Sequence, residues 1–339
     1  MSKLQMTHGQ PRRHRGFTLV ELMIAMLLGL IVIGGVISVF LAGQQTYRAN
    51  EAMGDVGDSS RVAFELLSRD FRGAGHTGCD DTNGRVANVL NNATLWYTNW
   101  SLPLQAYDDA SKDPAISTIT GDGAPVANTS SVLMLSTSNT DASVGSASGD
   151  PASFNINAAS TQLAAGDIIV VCDFDHATIM QVTSYSGTSV GHASGTTVTP
   201  GNCTTGLGYP GNCSGSNSYT FLPNAHIGLL TASDWYIGTN PTGTGGHSLY
   251  RVSVTYGATG ASVSAPVEMV RNVSNMQISY LQSGGTAFGN AASIGNWSTV
   301  SAAQVTLTVQ SANLRASVDN SAPLSRQFTS TITLRNRVQ

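Results

Sequence analysis

From Leu22 through Tyr47 the chain carries no charged residue, and most of the segment is Leu, Ile, Val, Met, Ala and Gly. About 20 apolar residues are enough for a helix to cross a ~30 Å hydrocarbon layer. This stretch therefore predicts a transmembrane helix before any other element is considered. The residues ahead of it are polar and basic, with Lys3, Arg12, Arg13 and Arg15 and no acid among the first sixteen. That asymmetry keeps the N-terminus in the cytoplasm and sends the remainder outward.

An ordinary secretory signal is cut after its apolar region. Here the only sharp polar-to-apolar junction lies before it, at Gly16-Phe17. A cut at that point leaves the apolar helix on the mature protein. Glu21 is the anomaly, since a carboxylate inside an apolar span costs about 2.5–3.5 kcal/mol at a helix centre and less near an end. It needs either the headgroup layer or a cationic partner. The string Gly16-Phe17-Thr18-Leu19-Val20-Glu21 resembles the class III signal of type IV prepilins and type II secretion pseudopilins. The resemblance implies that a membrane peptidase cuts after Gly16 and that the new terminal Phe17 is methylated. It also implies that Glu21 pairs with the N-terminal amine of a neighbouring subunit during assembly. An unpaired carboxylate in lipid and an unpaired buried amine are each costly, and each relieves the other. Small residues four apart, at Ala25/Gly29 and Gly34/Ser38/Ala42, fit close helix packing as well as simple lipid tolerance.

Beyond Tyr47 the pattern stays helical but becomes amphipathic, with Ala63, Phe64, Leu67 and Phe71 on one stripe and Arg61, Glu65, Ser68 and Arg69 away from it. Gly54 and Gly57 predict a bend or a locally melted turn, and Gly73-Ala74-Gly75 predicts the end of the helix. After residue 80, short β-like runs alternate with Gly/Ser/Asn-rich stretches. Strands are expected at Val132–Leu135, Asp167–Val171, Thr178–Val182 and Gln277–Leu281. The alternating runs Gln304–Val309 and Arg326–Leu334 are expected to be antiparallel neighbours with one face on the core. Pro266–Val273 reads as a helical turn, and 111–130, 141–162, 186–218, 239–247 and 283–300 read as loops.

The fold class that follows is α+β: a long N-terminal transmembrane and amphipathic helix leading into an antiparallel, β-rich globular head. The expected divisions are a cleaved leader at 1–16, a membrane helix at 17–43, an amphipathic helix at 44–75 and a head at 76–339.

Four cysteines, Cys79, Cys172, Cys203 and Cys213, lack the C-x-x-C spacing of zinc or redox sites. Two disulfides and an oxidising compartment are the simplest reading. Of three possible pairings, the short Gly/Pro-rich loop favours Cys203–Cys213, which leaves Cys79–Cys172. Without residues 1–16 the chain holds 12 basic against 20 acidic residues, a net charge of −8. This argues against nucleic acid as a partner, because such binding depends on neutralising phosphates.

No catalytic constellation is discernible. His76, His176, His192, His226 and His247 form no H-E-x-x-H and no close pair, and read as surface or turn residues. Gly206–Gly211 matches G-x-G-x-x-G literally, but it contains Pro210 and lies between two cysteines, so a closed turn is the better reading. Gly145–Gly149 has Ala147 where a G-x-S-x-G nucleophile would stand. Asp173 and Asp175 could offer oxygens to calcium, yet no EF-hand pattern continues from them, and Asp at a strand end is usually a turn former. Trp96, Tyr97, Trp100, Trp235, Tyr236 and Trp297 fit core anchors better than a sugar-binding face. No cofactor or metal is expected, and no enzyme activity.

Downstream, Arg69–Cys79, Gly166–Asp173, Leu249–Val252, Val270–Gln277 and Thr333–Arg337 resemble the PilW family of minor type IV pilins. Arg271-Asn272 stands where that family more often has an acidic residue and a glycine. The resemblance implies a subunit that primes pilus assembly, in a minor-pilin complex at or near the filament tip. Its partners would be other minor and major pilins, the prepilin peptidase and methylase, a possible tip adhesin, and inner-membrane lipid before assembly. The head would lie in the periplasm and then in the pilus at the cell surface. A type II secretion pseudopilin and a tip adhesin or binding module are the alternatives.

Overall fold

The computed structural model describes residues 16–79, 85–147, 152–211, 213, 217–316 and 322–334. By internal contacts the chain divides into two units, one ending at Glu51 and one beginning at Ala52. One helix, α1, runs from Leu19 to Gly73 without a break in its helical backbone. The melted turn expected near Gly54 and Gly57 is therefore absent. Its flanks explain this: Ala52, Val56 and Ser60 are buried on either side of the two glycines, so packing offsets the ~1 kcal/mol that each glycine costs.

In the N-terminal unit α1 carries no charged residue from Leu22 through Tyr47, and the helix is long and apolar enough to cross a membrane, with none of its most apolar window buried. The second unit, here the β domain, begins with the amphipathic part of α1. Ala63, Leu67 and Phe71 are fully buried, Phe64 is half-buried, and Arg61, Glu65 and Arg69 are exposed, as the stripe predicts.

Among the described residues fifteen strands follow. They are β1 (Val86–Asn88), β2 (Leu104–Tyr107), β3 (Ser131–Ala147), β4 (Ser153–Ile156), β5 (Ile168–Cys172), β6 (Ala177–Gln181), β7 (Ser184–Ser186) and β8 (Ser189–Gly191). Then come β9 (His226–Thr239), β10 (His247–Gly257), β11 (Gly260–Val263), β12 (Val267–Arg271), β13 (Val273–Gln282), β14 (Val300–Gln310) and β15 (Ser325–Thr333). Twelve of them form one branched sheet with the path β1-β6-β5-β9-β3-β4-β8-β7. The long β9 carries the branching, since it pairs with β3, β5 and β10. The pairing is antiparallel throughout except between β1 and β6. The remaining three strands make an antiparallel sheet, β13-β14-β15.

The two sheets and α1 share a core that contains Leu67, Phe71, Leu104, Trp235, Tyr280 and Leu307. β14 supplies Val305, Leu307 and Val309 to it by strict alternation, and β15 presents Phe328 and Ile332 beside them. β5 and β6 are buried at every position. Their alternate residues feed separate cores: Ile169, Val171 and Met180 on one face, Ile168, Val170 and Ile179 on the other. A sheet covered on both faces is what an unbroken apolar run requires.

Several expected loops contain strands. β3 extends to Ala147 and β4 lies inside 141–162, while β8 lies inside 186–218. The helical turn expected over Pro266–Val273 is strand β12 instead, because β10 supplies its hydrogen-bond partners through pairs such as Leu249 with Val270. The chain then reverses at Asn272, whose φ of 62° lies in the left-handed region that glycine favours and asparagine tolerates.

Candidate functional site

The described chain begins at Gly16, and the expected leader ahead of it lies outside the described residues. Phe17 is 82% exposed. Thr18 caps α1, its Oγ1 accepting from the Glu21 amide at 3.2 Å and its carbonyl from the Leu22 amide at 3.1 Å. Glu21 thus sits in the first helical turn, where the unpaired amides favour a negative charge. Among the described residues its carboxylate makes no ion pair. Leu19, Leu22, Ile24, Leu28, Ile31 and Phe40 are all exposed, so this end of the chain offers an apolar helix with one carboxylate near its start. No chemistry other than packing and ion pairing is available from these side chains.

In the β domain the four cysteines form Cys79–Cys172 and Cys203–Cys213. The first ties the segment after α1 to the end of β5, and the second closes the Gly206–Gly211 turn. There Gly206 and Gly208 lie against Asn217, and no helix follows among the described residues. The G-x-S-x-G-like segment continues β3 as far as Ala147, and its last two residues lie outside the described residues.

Two of the five histidines, His176 and His192, differ from their expected surface or turn placement. His176 is fully buried, with Nδ1 at 2.8 Å from Asp175 and Nε2 at 2.8 Å from the Leu207 carbonyl, against the rings of Tyr219 and Phe221. His192 is also buried, beside Phe154. The His176 ring has both nitrogens bonded where it cannot reach water. The Asp173 and Asp175 carboxylates are engaged within the chain. Asp173 accepts from the Tyr219 hydroxyl at 2.7 Å, and Asp175 pairs with Arg85 at 3.1 Å. The His176 contact and Arg85 hold the Asp175 carboxyl below its usual range. Among the described residues no group of three or more His, Cys, Asp or Glu side chains is placed to hold a metal.

The aromatic residues are dispersed. Trp96, Tyr97 and Trp100 belong to one core, Trp235 and Trp297 to a second and Tyr236 to a third, so they make no common face.

Two features escaped the sequence reading. Asp70, at the end of α1, accepts from Trp235 Nε1 at 2.7 Å and from Ser233 Oγ at 2.9 Å. Asp113 and Asp234 meet inside the domain with no solvent exposure. An acid within the apolar run of β9 was the available signal for Asp234, whereas Asp113 lies in a loop with none.

Among known families, the one described as Prokaryotic N-terminal methylation motif matches residues 11–37. The match covers Gly16, Phe17 and Glu21, and it supports a pilin-like protein in the broad sense, pilin or pseudopilin. Comparison with curated proteins and with solved structures gives no match.

Proposed function

We propose that the chain is a minor subunit of a type IV pilus, of the PilW kind, that primes filament assembly from the tip. Residues 1–16 are removed as a leader, Phe17 becomes the methylated terminus, and 17–43 holds the subunit in the inner membrane with its β domain in the periplasm. Glu21 then receives the terminal amine of a neighbouring pilin as the apolar helices leave the lipid for the filament. Other minor and major pilins and the prepilin peptidase are its partners, and the function is structural.

The observation that carries this reading is one conjunction. A methylation motif over residues 11–37 opens a helix whose apolar side chains are exposed all round, with Glu21 in its first turn. Such a helix is stable only in lipid or among similar helices, and its carboxylate requires a cationic partner there. Glu21→Ala is expected to leave cleavage intact while abolishing or strongly reducing surface pili. Normal piliation by that variant in a strain lacking the native copy would refute the assembly role. Failure to support pili, with restored type II secretion in a strain lacking a pseudopilin, would assign the chain to the secretion machine instead.

A further inference from the structure

Where the last turns of α1 meet β3, β9 and β10, the β domain opens a cleft of about 480 Å³. Its charged walls are Arg69, Asp70 and Arg251. Asp70 is already committed to Trp235 and Ser233. The Arg251 guanidinium lies over the Trp235 ring, 5.4 Å from its centroid, and its Nε is buried without a hydrogen-bond partner. Among the described residues neither Arg69 nor Arg251 forms an ion pair.

The hydroxyls of Ser136, Thr137 and Thr231 also line the cleft. Ser136 and Thr231 bond to each other at 2.7 Å, and Thr137 donates to the His76 carbonyl at 3.0 Å. These hydroxyls can still accept, one proton of the Ser136–Thr231 pair remains to donate, and the two arginines supply the charged donors of the cleft. A ligand that fits offers one planar anion to the guanidinium groups and N–H or O–H donors to the hydroxyl wall.

We propose that this cleft takes the carboxylate of a Glu or Asp side chain in an extended segment of a partner protein. The carboxylate matches the bidentate fork of arginine, and the segment's amides match the hydroxyl oxygens. A polyanion is disfavoured, because the chain beyond residue 16 carries 12 basic against 20 acidic residues. An acidic sugar would need an open aromatic face on which to lie. Trp235, the aromatic side chain lining the cleft, is fully buried beneath Arg251. This proposal does not depend on the pilus assignment.

The test is isothermal titration of the full chain in detergent micelles with Ac-Gly-Glu-Gly-amide, its Gln counterpart, glucuronate and inorganic phosphate. The Glu peptide is expected to bind, and the Gln peptide to bind at least about tenfold more weakly. Arg69→Gln and Arg251→Gln should each weaken the Glu peptide about tenfold, the loss of one charge-assisted contact. Arg69 is exposed, so its variant tests the site without disturbing the packing on Trp235. Equal binding of the Glu and Gln peptides, no binding, or undiminished binding by Arg69→Gln would overturn the proposal. So would glucuronate or phosphate binding at least as tightly as the Glu peptide.

Discussion

Asp113 and Asp234 meet as two fully buried carboxyl groups inside the β domain, an arrangement that favours keeping a proton on Asp234. Asp113 accepts from Ser131 Oγ at 2.6 Å and from the Ala115 amide at 2.9 Å, which offsets part of the burial that raises its own carboxyl. Neither Asp234 oxygen meets a hydrogen-bond donor among the described residues. Burial first, and the Asp113 charge second, push the Asp234 carboxyl well above the carboxylate range. Burial raises the phenols of Tyr107, Tyr236 and Tyr280, and Asp234 raises each of them further.

This pair makes stability fall as pH rises. The unfolded chain releases the Asp234 proton near pH 4, whereas the folded chain retains it. Above that pH the native state binds more protons, and each retained proton costs about 1.4 kcal/mol per pH unit. The loss continues until pH reaches the raised value of the folded pair. Asp234→Asn, which keeps an N–H donor toward Asp113 at every pH, is expected to flatten the slope between pH 5 and 8 in urea unfolding. An unchanged slope in that variant would show that the proton is held elsewhere.

Asp70→Ala removes the acceptor of a fully buried indole N–H and of the Ser233 hydroxyl. Leaving a buried donor unsatisfied costs about 1–3 kcal/mol. Asp70→Asn keeps one acceptor oxygen, so a smaller loss is expected. Denaturant midpoints of the two variants, compared with the unsubstituted chain, measure both.

The two disulfides close loops of very different size, with sequence separations of 93 and 10. In the chain-entropy description they stabilise by about 4.7 and 2.8 kcal/mol. The double variant Cys79→Ala/Cys172→Ala should therefore lower the unfolding midpoint more than Cys203→Ala/Cys213→Ala. The reverse order would mean that native-state packing around the Gly206–Gly211 turn outweighs loop closure.

What could be read ahead of the structure was what depends on local pattern. The stripe Ala63-Leu67-Phe71 and the alternation of Val305, Leu307 and Val309 each name a buried face, because helix and strand periods differ. β4, β8 and β12 were not legible, since a few residues in Gly- and Ser-rich or mixed sequence become strands only when a neighbour offers a hydrogen-bonding edge. Gly54 and Gly57 misled for the opposite reason, as burial of Ala52, Val56 and Ser60 overrides their intrinsic preference. Asp70 and the Asp113–Asp234 pair rest on contacts between distant segments, which periodicity does not encode. The N-terminal motif was legible because it is written in consecutive residues, and the matching methylation motif spans Gly16 through Glu21.

The most direct test of the pilin reading is the N-terminal sequence and intact mass of the membrane-fraction protein, from cells with and without prepilin peptidase. The account predicts a chain that begins at N-methylated Phe17 when the peptidase is present and at Met1 when it is absent. A chain that still begins at Met1 beside active peptidase would contradict it and leave a signal-anchored β domain with no part in filament assembly.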